Sequence, residues 1–231
     1  MNRFVGYVLA LIALAGIAYA IYIFVPKAPA MPITTITEAD PETGTEMQTE
    51  VVSSQTDTYR IEVRYPKFGI PAVDAKIKAV VDSAVAEFKT YPANPPDSST
   101  PQNEMSGSFD SVYAGPDIVS VALSISEYTG GAHPNTVIIG VNVEKLTGKS
   151  LTLDDALLIL GKSLEEVAES SLKELKVILG EDVLFPEGAA AKSENYSTFL
   201  IGKDRVTFIF NNYQVAPYAA GHQEVWFKRV K

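Results

Sequence analysis

The sequence predicts an α+β fold, a largely antiparallel sheet packed by a few helices and preceded by one N-terminal transmembrane helix. Three observations carry this reading. Short segments that alternate apolar and polar residues recur between turn-forming residues, as half-buried strands do. Among them stand stretches whose apolar residues return every three or four positions, opened by capping residues and closed by glycine, as in helices. Finally, Phe4 to Val25 is an apolar run without charge, proline, asparagine or glutamine. At about 1.5 Å per residue it is long enough to cross the ~30 Å hydrocarbon core of a bilayer.

Taken in order, residues 1–3 form a cytoplasmic stub and residues 4–25 a signal anchor. A cleavable signal peptide competes with the anchor, because Ala18-Tyr19-Ala20 and Ala28-Pro29-Ala30 have the small-x-small form of a cleavage site. The apolar run continues through Ile21 to Val25, past the end of an ordinary signal core of about 7–15 residues, so a retained anchor is expected. The bulk of the chain follows the helix, which places it outside the cytoplasm in a single-pass cell-membrane protein. Residues 26–57 are rich in Pro, Thr, Glu and Ser, lack an apolar period and carry Glu38, Asp40, Glu42, Glu46, Glu50 and Asp57. That composition reads as an acidic disordered tether.

Residues 58–231 read as the folded domain, divided near residue 115. Tyr59 to Tyr65 alternates as a strand, and Val73, Ile77, Val80, Val81, Ala84, Val85 and Phe88 form one stripe of a helix. A proline-rich loop, Tyr91 to Asn103, leads to strands at Ser108 to Tyr113, Ile118 to Ser126 and from Asn135 to Leu146. Thr152 with Asp155, and Ser163 with Glu166, have the spacing of capping boxes, the second opening a helix that stops at Gly180. A hairpin, Ser197 to Ile201 and Val206 to Phe210, precedes a last strand at Val225-Trp226-Phe227, where Trp226 is expected in the core.

Composition narrows the function. There is no cysteine, so disulfides, thiolate nucleophiles and Cys-ligated metals are excluded. A net charge of −9 argues against nucleic acid as a partner. Gly148-Lys149-Ser150 and Gly161-Lys162-Ser163 mimic the end of a phosphate-binding loop, yet the glycine needed five residues before the lysine's own glycine is Val143 in one and Ala156 in the other. The common zinc, serine-hydrolase and dinucleotide signatures are absent, so no catalytic residue, metal ligand or cofactor is assigned.

Two loops stand out, Tyr128 to Asn135 and Tyr213 to His222, which hold both histidines of the chain. Their mixture of Gly, Pro, Asn and Tyr suits a backbone with special dihedrals. The candidate binding residues are Tyr128, Gly130, Gly131, His133, Asn135, Tyr213, Pro217, Tyr218 and His222. For His133 and His222, a ligand-binding or general-base role stands beside a structural one, an imidazole tying a tight loop to backbone carbonyls. Tyr213 and Tyr218 fit either a recognition surface or the edge of the core. Asp154 and Asp155 suit a helix start better than a carboxylate pair.

Three ordered motifs carry a resemblance: Glu127-Tyr-Thr-Gly-Gly-Ala-His-Pro-Asn-Thr136, Leu146-Thr-Gly-Lys-Ser-Leu-Thr-Leu-Asp-Asp155 and Phe210-Asn-Asn-Tyr-Gln-Val-Ala-Pro-Tyr-Ala-Ala-Gly221. They resemble a bacterial domain-of-unknown-function family found in the extracellular part of RsiV-like anti-sigma factors and beside PdaC-like peptidoglycan deacetylase domains. Tyr59 to Lys89 is similar to the companion segment that precedes this domain, so the resemblance covers about residues 58–231. It implies an α+β extracytoplasmic module at the cell envelope, in some members binding lysozyme. Three residues before the membrane helix are too few for a sigma-binding domain, and nothing here resembles a polysaccharide deacetylase domain, so neither activity is expected.

The function expected is that of a membrane-anchored binding module, its partner a cell-wall glycan or a cationic protein such as lysozyme, its membrane contact Phe4 to Val25. An envelope structural protein, and a hydrolase using His133 or His222, are the alternatives.

Overall fold

The computed structural model describes residues 36–40, 43–94, 99 and 101–230. The expected anchor, Phe4 to Val25, lies outside them, and among the described residues no helix is long and apolar enough to cross a membrane.

Two sheets form where the sequence predicts one. The larger is ordered β1 (Ile36–Ala39), β2 (Glu46–Gln55), β3 (Tyr59–Lys67), β4 (Asn103–Ala114), β5 (Ile118–Tyr128) and β6 (Asn135–Glu144). Each adjacent pair is antiparallel except β3 and β4, which run parallel. Parallel neighbours need a crossover, and helix α1 (Pro71–Phe88) supplies it. Pro71 opens that helix, and the Asp74 carboxylate accepts the Phe68 N–H at 2.8 Å, fixing its entry. Its stripe of Val73, Ile77, Val81, Val85 and Phe88 is buried against Ile61, Val63, Met105 and Leu123 of the sheet.

Two stretches of the expected tether, 36–39 and 46–55, are strands of this sheet. β2 pairs with β3 from Gln48 opposite Lys67 to Gln55 opposite Arg60, and β1 extends the edge. Met47 and Asp40 are buried; the Asp40 carboxylate accepts the Ala114 N–H at 2.9 Å and the Thr43 hydroxyl. Glu50 accepts from the Tyr65 hydroxyl at 2.8 Å and from Lys67 Nζ at 2.6 Å, and the lysine beside it holds its carboxyl below the usual range. A strand can be held by backbone pairing with a neighbour without an apolar period of its own, which composition does not reveal.

The second sheet contains β7 (Phe199–Ile201), β8 (Arg205–Phe210) and β9 (Gln223–Lys228), all antiparallel. Helices α2 (Leu153–Leu160) and α3 (Leu164–Leu179) begin in the two expected capping boxes, at Thr152 with Asp155 and at Ser163 with Glu166. Lys149 and the Thr152 backbone N–H hold the Asp155 carboxyl down at about 2. Both helices share a core with one face of the second sheet, centred on Leu160, Val167, Leu175, Tyr196, Phe208 and Phe210. Its other face meets the first sheet through Leu200 and Ile209, packed on Ala122 and Ile138. The layers therefore run α1, six-stranded sheet, three-stranded sheet, then α2 and α3.

Polar groups lock the two sheets. The Asn142 side chain donates to the Phe199 carbonyl at 2.8 Å and accepts from Ser120 Oγ at 2.6 Å and the Ile201 N–H at 3.1 Å. Trp226 corrects the expectation of a core residue, being 60% exposed. Strand side chains alternate, so with Val225 buried Trp226 points to the opposite face, which the first sheet does not cover there.

Candidate functional site

The two motif loops meet. The first joins β5 to β6, closed where Glu127 pairs with Asn135, and the second joins β8 to β9. His133 from the first loop stacks on Tyr218 from the second, with ring centroids 4.0 Å apart and planes 20° from parallel. Tyr213 completes the cluster, 5.4 Å from Tyr218 and 6.4 Å from His133.

Hydrogen bonds fix the rings. His133 Nδ1–H donates to the Pro134 carbonyl at 2.8 Å, leaving Nε2 to accept the Tyr213 hydroxyl at 3.3 Å. The Tyr218 hydroxyl donates to the same Pro134 carbonyl at 3.2 Å, and that of Tyr128 to Gly131 at 3.2 Å. Of the two roles expected of His133, the structural contact is present: its ring bonds the carbonyl of the next residue, and the ring itself is exposed.

Tyr213 is the sole non-glycine with positive φ, +67°, among the described residues. A left-handed backbone at a residue with Cβ costs about 1–2 kcal/mol and persists where neighbours over-determine it. Asn211 and Gln214 do so. Asn211 grips the edge strand β6 through both backbone groups of Ile138, accepting at 2.7 Å and donating at 3.2 Å. Gln214 accepts the Asn211 N–H at 3.0 Å and donates to the Gly188 and Asn195 carbonyls at 3.0 and 2.8 Å. Neither was a candidate from sequence; a polar pair bracketing Asn212-Tyr213 was the available signal. Tyr213 remains 54% exposed between them.

The other candidates take lesser places. Gly130 and Gly131 have φ of +102° and +115°, which let the first loop turn back under His133. Asn135 and Pro217 are exposed flanks. His222 joins Glu224 at 3.6 Å rather than the ring cluster. Beneath the first loop Glu127 has its carboxyl raised by burial, with Glu87 adding to the effect and a Tyr91 hydrogen bond opposing it. Among the described residues no group of three or more metal-ligating side chains converges.

Two family models match successive stretches: deacetylase PdaC over residues 52–136, and DUF3298, a protein of unknown function, over residues 154–229. The first stretch is thus PdaC-like and the second DUF3298-like. The peptidoglycan-N-acetylmuramic acid deacetylase PdaC of Bacillus subtilis (strain 168) is 29% identical over 176 residues, covering 74% of this chain and 38% of that protein. The chain therefore spans little more than a third of this relative's length. Two crystal structures of DUF3298-family proteins share the fold. One, from Bacteroides fragilis, has 18% identity and a TM-score of 0.52, covering 87% of this chain and 91% of its own. The other, from Pseudomonas aeruginosa, has 19% identity and a TM-score of 0.52, covering 87% and 92%. The ring cluster is composite: His133 lies in the PdaC-like stretch, Tyr213 and Tyr218 in the DUF3298-like stretch.

Proposed function

We propose that this protein is a membrane-anchored, extracytoplasmic module that binds the glycan of peptidoglycan through His133, Tyr213 and Tyr218. The observation that carries the reading is the three-ring cluster, His133 and Tyr213 exposed and Tyr218 half-buried, with the Tyr213 turn braced by Asn211 and Gln214. Aromatic rings offer an apolar face for the C–H side of a sugar, with hydroxyl and imidazole groups at the rim for its polar groups. Backbone strain at an exposed residue serves presentation, since the fold gains nothing from it. The B. subtilis relative, by its name, acts on peptidoglycan, which supports the choice of that polymer as the ligand.

The test is retention of the full-length chain, in mild detergent, on purified peptidoglycan and on an immobilised cationic lysozyme at low and moderate salt. Retention on peptidoglycan that His133→Ala and Tyr218→Ala abolish is the expected result. Retention on lysozyme alone, fading with salt, would replace the glycan by a basic protein. Retention on neither would overturn the reading.

A further inference from the structure

Where the two sheets diverge, beyond Leu200 and Ile209, they leave an open groove of about 240 Å³. One wall is β4 of the first sheet, from Ser111 to Tyr113, with Ser120 of β5 beside it. The other is the face of the second sheet turned toward the first, with Leu200, Arg205, Thr207 and Glu224. Register adds Trp226 to that wall, because it stands directly opposite Thr207 and two residues along the strand from Glu224.

The chemistry of these walls is mixed in a particular way. Trp226 is the chain's single tryptophan, and more than half of it is exposed. The Arg205 guanidinium lies 5.7 Å from its ring centre, and its ion pair with Asp204 goes through Nε at 3.5 Å. The terminal guanidinium nitrogens therefore keep donors for a carboxylate, in the fork geometry that arginine alone provides. Ser111, Thr207 and Tyr113 supply hydroxyls, and Glu224 an acceptor. A flat apolar ring, a cation and a row of neutral hydroxyls match a sugar that carries a carboxylate and amide groups. They do not match a purely apolar ligand or a polyanion, which would meet Glu224 without enough cations.

We infer that this groove is a second glycan subsite, in which a muramic-acid-type sugar free of its stem peptide stacks on Trp226 and its unamidated lactyl carboxylate pairs with Arg205. The inference rests on the peptidoglycan reading above, but it uses residues separate from the ring cluster.

Because Trp226 is the only tryptophan, its emission reports on this groove alone. The full-length chain in detergent is titrated with an N-acetylglucosamine–N-acetylmuramic acid disaccharide and, separately, with an N-acetylglucosamine disaccharide that lacks the carboxylate. Saturable quenching or a shift of emission is expected with the first, with affinity about tenfold weaker for the second and for Arg205→Gln, as loss of one charge-assisted hydrogen bond gives. Arg205→Gln is compared with the wild type by circular dichroism, and its exposed position predicts an unchanged fold. No saturable response, or equal affinity for both sugars, would overturn the subsite. If retention on peptidoglycan through His133 and Tyr218 persists without a tryptophan response, the groove inference fails and the ring-cluster reading stands. If the tryptophan response persists in His133→Ala while that variant also keeps full retention, the groove survives and the ring cluster fails.

Discussion

Gly140 of β6 and Phe199 of β7 touch backbone to backbone: a Cβ on Gly140 would fall within van der Waals contact of the Phe199 carbonyl oxygen and lie 3.1 Å from its nitrogen. The second sheet can lie across the first only because this position has no side chain. Gly140→Ala must force the sheets apart and disturb the nearby Asn142 bonds. A loss of about 3 kcal/mol in urea unfolding is expected, with a lowered Tm.

The same junction depends on Asn142 and Ser120, both buried and both bonded to the Ile201 N–H. Asn142→Ala strips the Phe199 carbonyl of its side-chain donor and should cost about 2 kcal/mol. Ser120→Ala should cost less, because Asn142 still reaches the Ile201 N–H. The two belong to one network, so a double-mutant cycle should give a coupling of about 1 kcal/mol, and simple additivity would count against it.

The features legible in the sequence are those whose cause is local. The capping boxes at Thr152 and Ser163 and the buried stripe of α1 were readable because each depends on residues within a few positions. The unusual backbone of the loop pair was readable, since its composition demanded special dihedrals. What was hidden depends on distant partners. Asp40 looked like a tether acid until the Ala114 N–H, 74 residues away, was found bonded to it. Trp226 looked like core because its exposure is decided by where the first sheet ends, and the grip of Asn211 on β6 joins residues 73 apart.

The pairing of β1 and β2 with β3 decides where the chain can be truncated. A chain starting at residue 58 lacks β1 and β2, leaving Tyr65 without Glu50 and one edge of β3 unpaired. Loss of the buried Met47 alone removes about 2 kcal/mol. Such a chain should melt earlier and less cooperatively than one starting at residue 32, as circular dichroism and size exclusion would show.

Glu127 sets a pH dependence of definite sign. Burial raises its carboxyl above the ordinary 4.5 in the folded state, so the folded chain holds the proton more tightly than the unfolded one. The stabilisation that follows is present below the unfolded value and is lost as pH rises through the folded value. Glu127→Gln should therefore be more stable than the wild type at neutral pH, and the gain should disappear as pH falls below 4.5. Thermal melts at two pH values check this; a gain that is the same at both would contradict it.

Tyr213 separates stability from recognition. Tyr213→Gly removes the ring but also relieves the positive φ, whereas Tyr213→Ala removes the ring and keeps the strain. The glycine variant should be more stable than the alanine variant by about 1 kcal/mol. Both lose the hydroxyl that His133 Nε2 accepts and one of three stacked rings, so both should bind peptidoglycan equally poorly. A ring that served only to cover the core would give the opposite pattern: both variants would lose stability and keep retention. Unfolding curves and retention measured on the same three proteins distinguish the two, because strain relief acts on the first quantity and ring loss on the second.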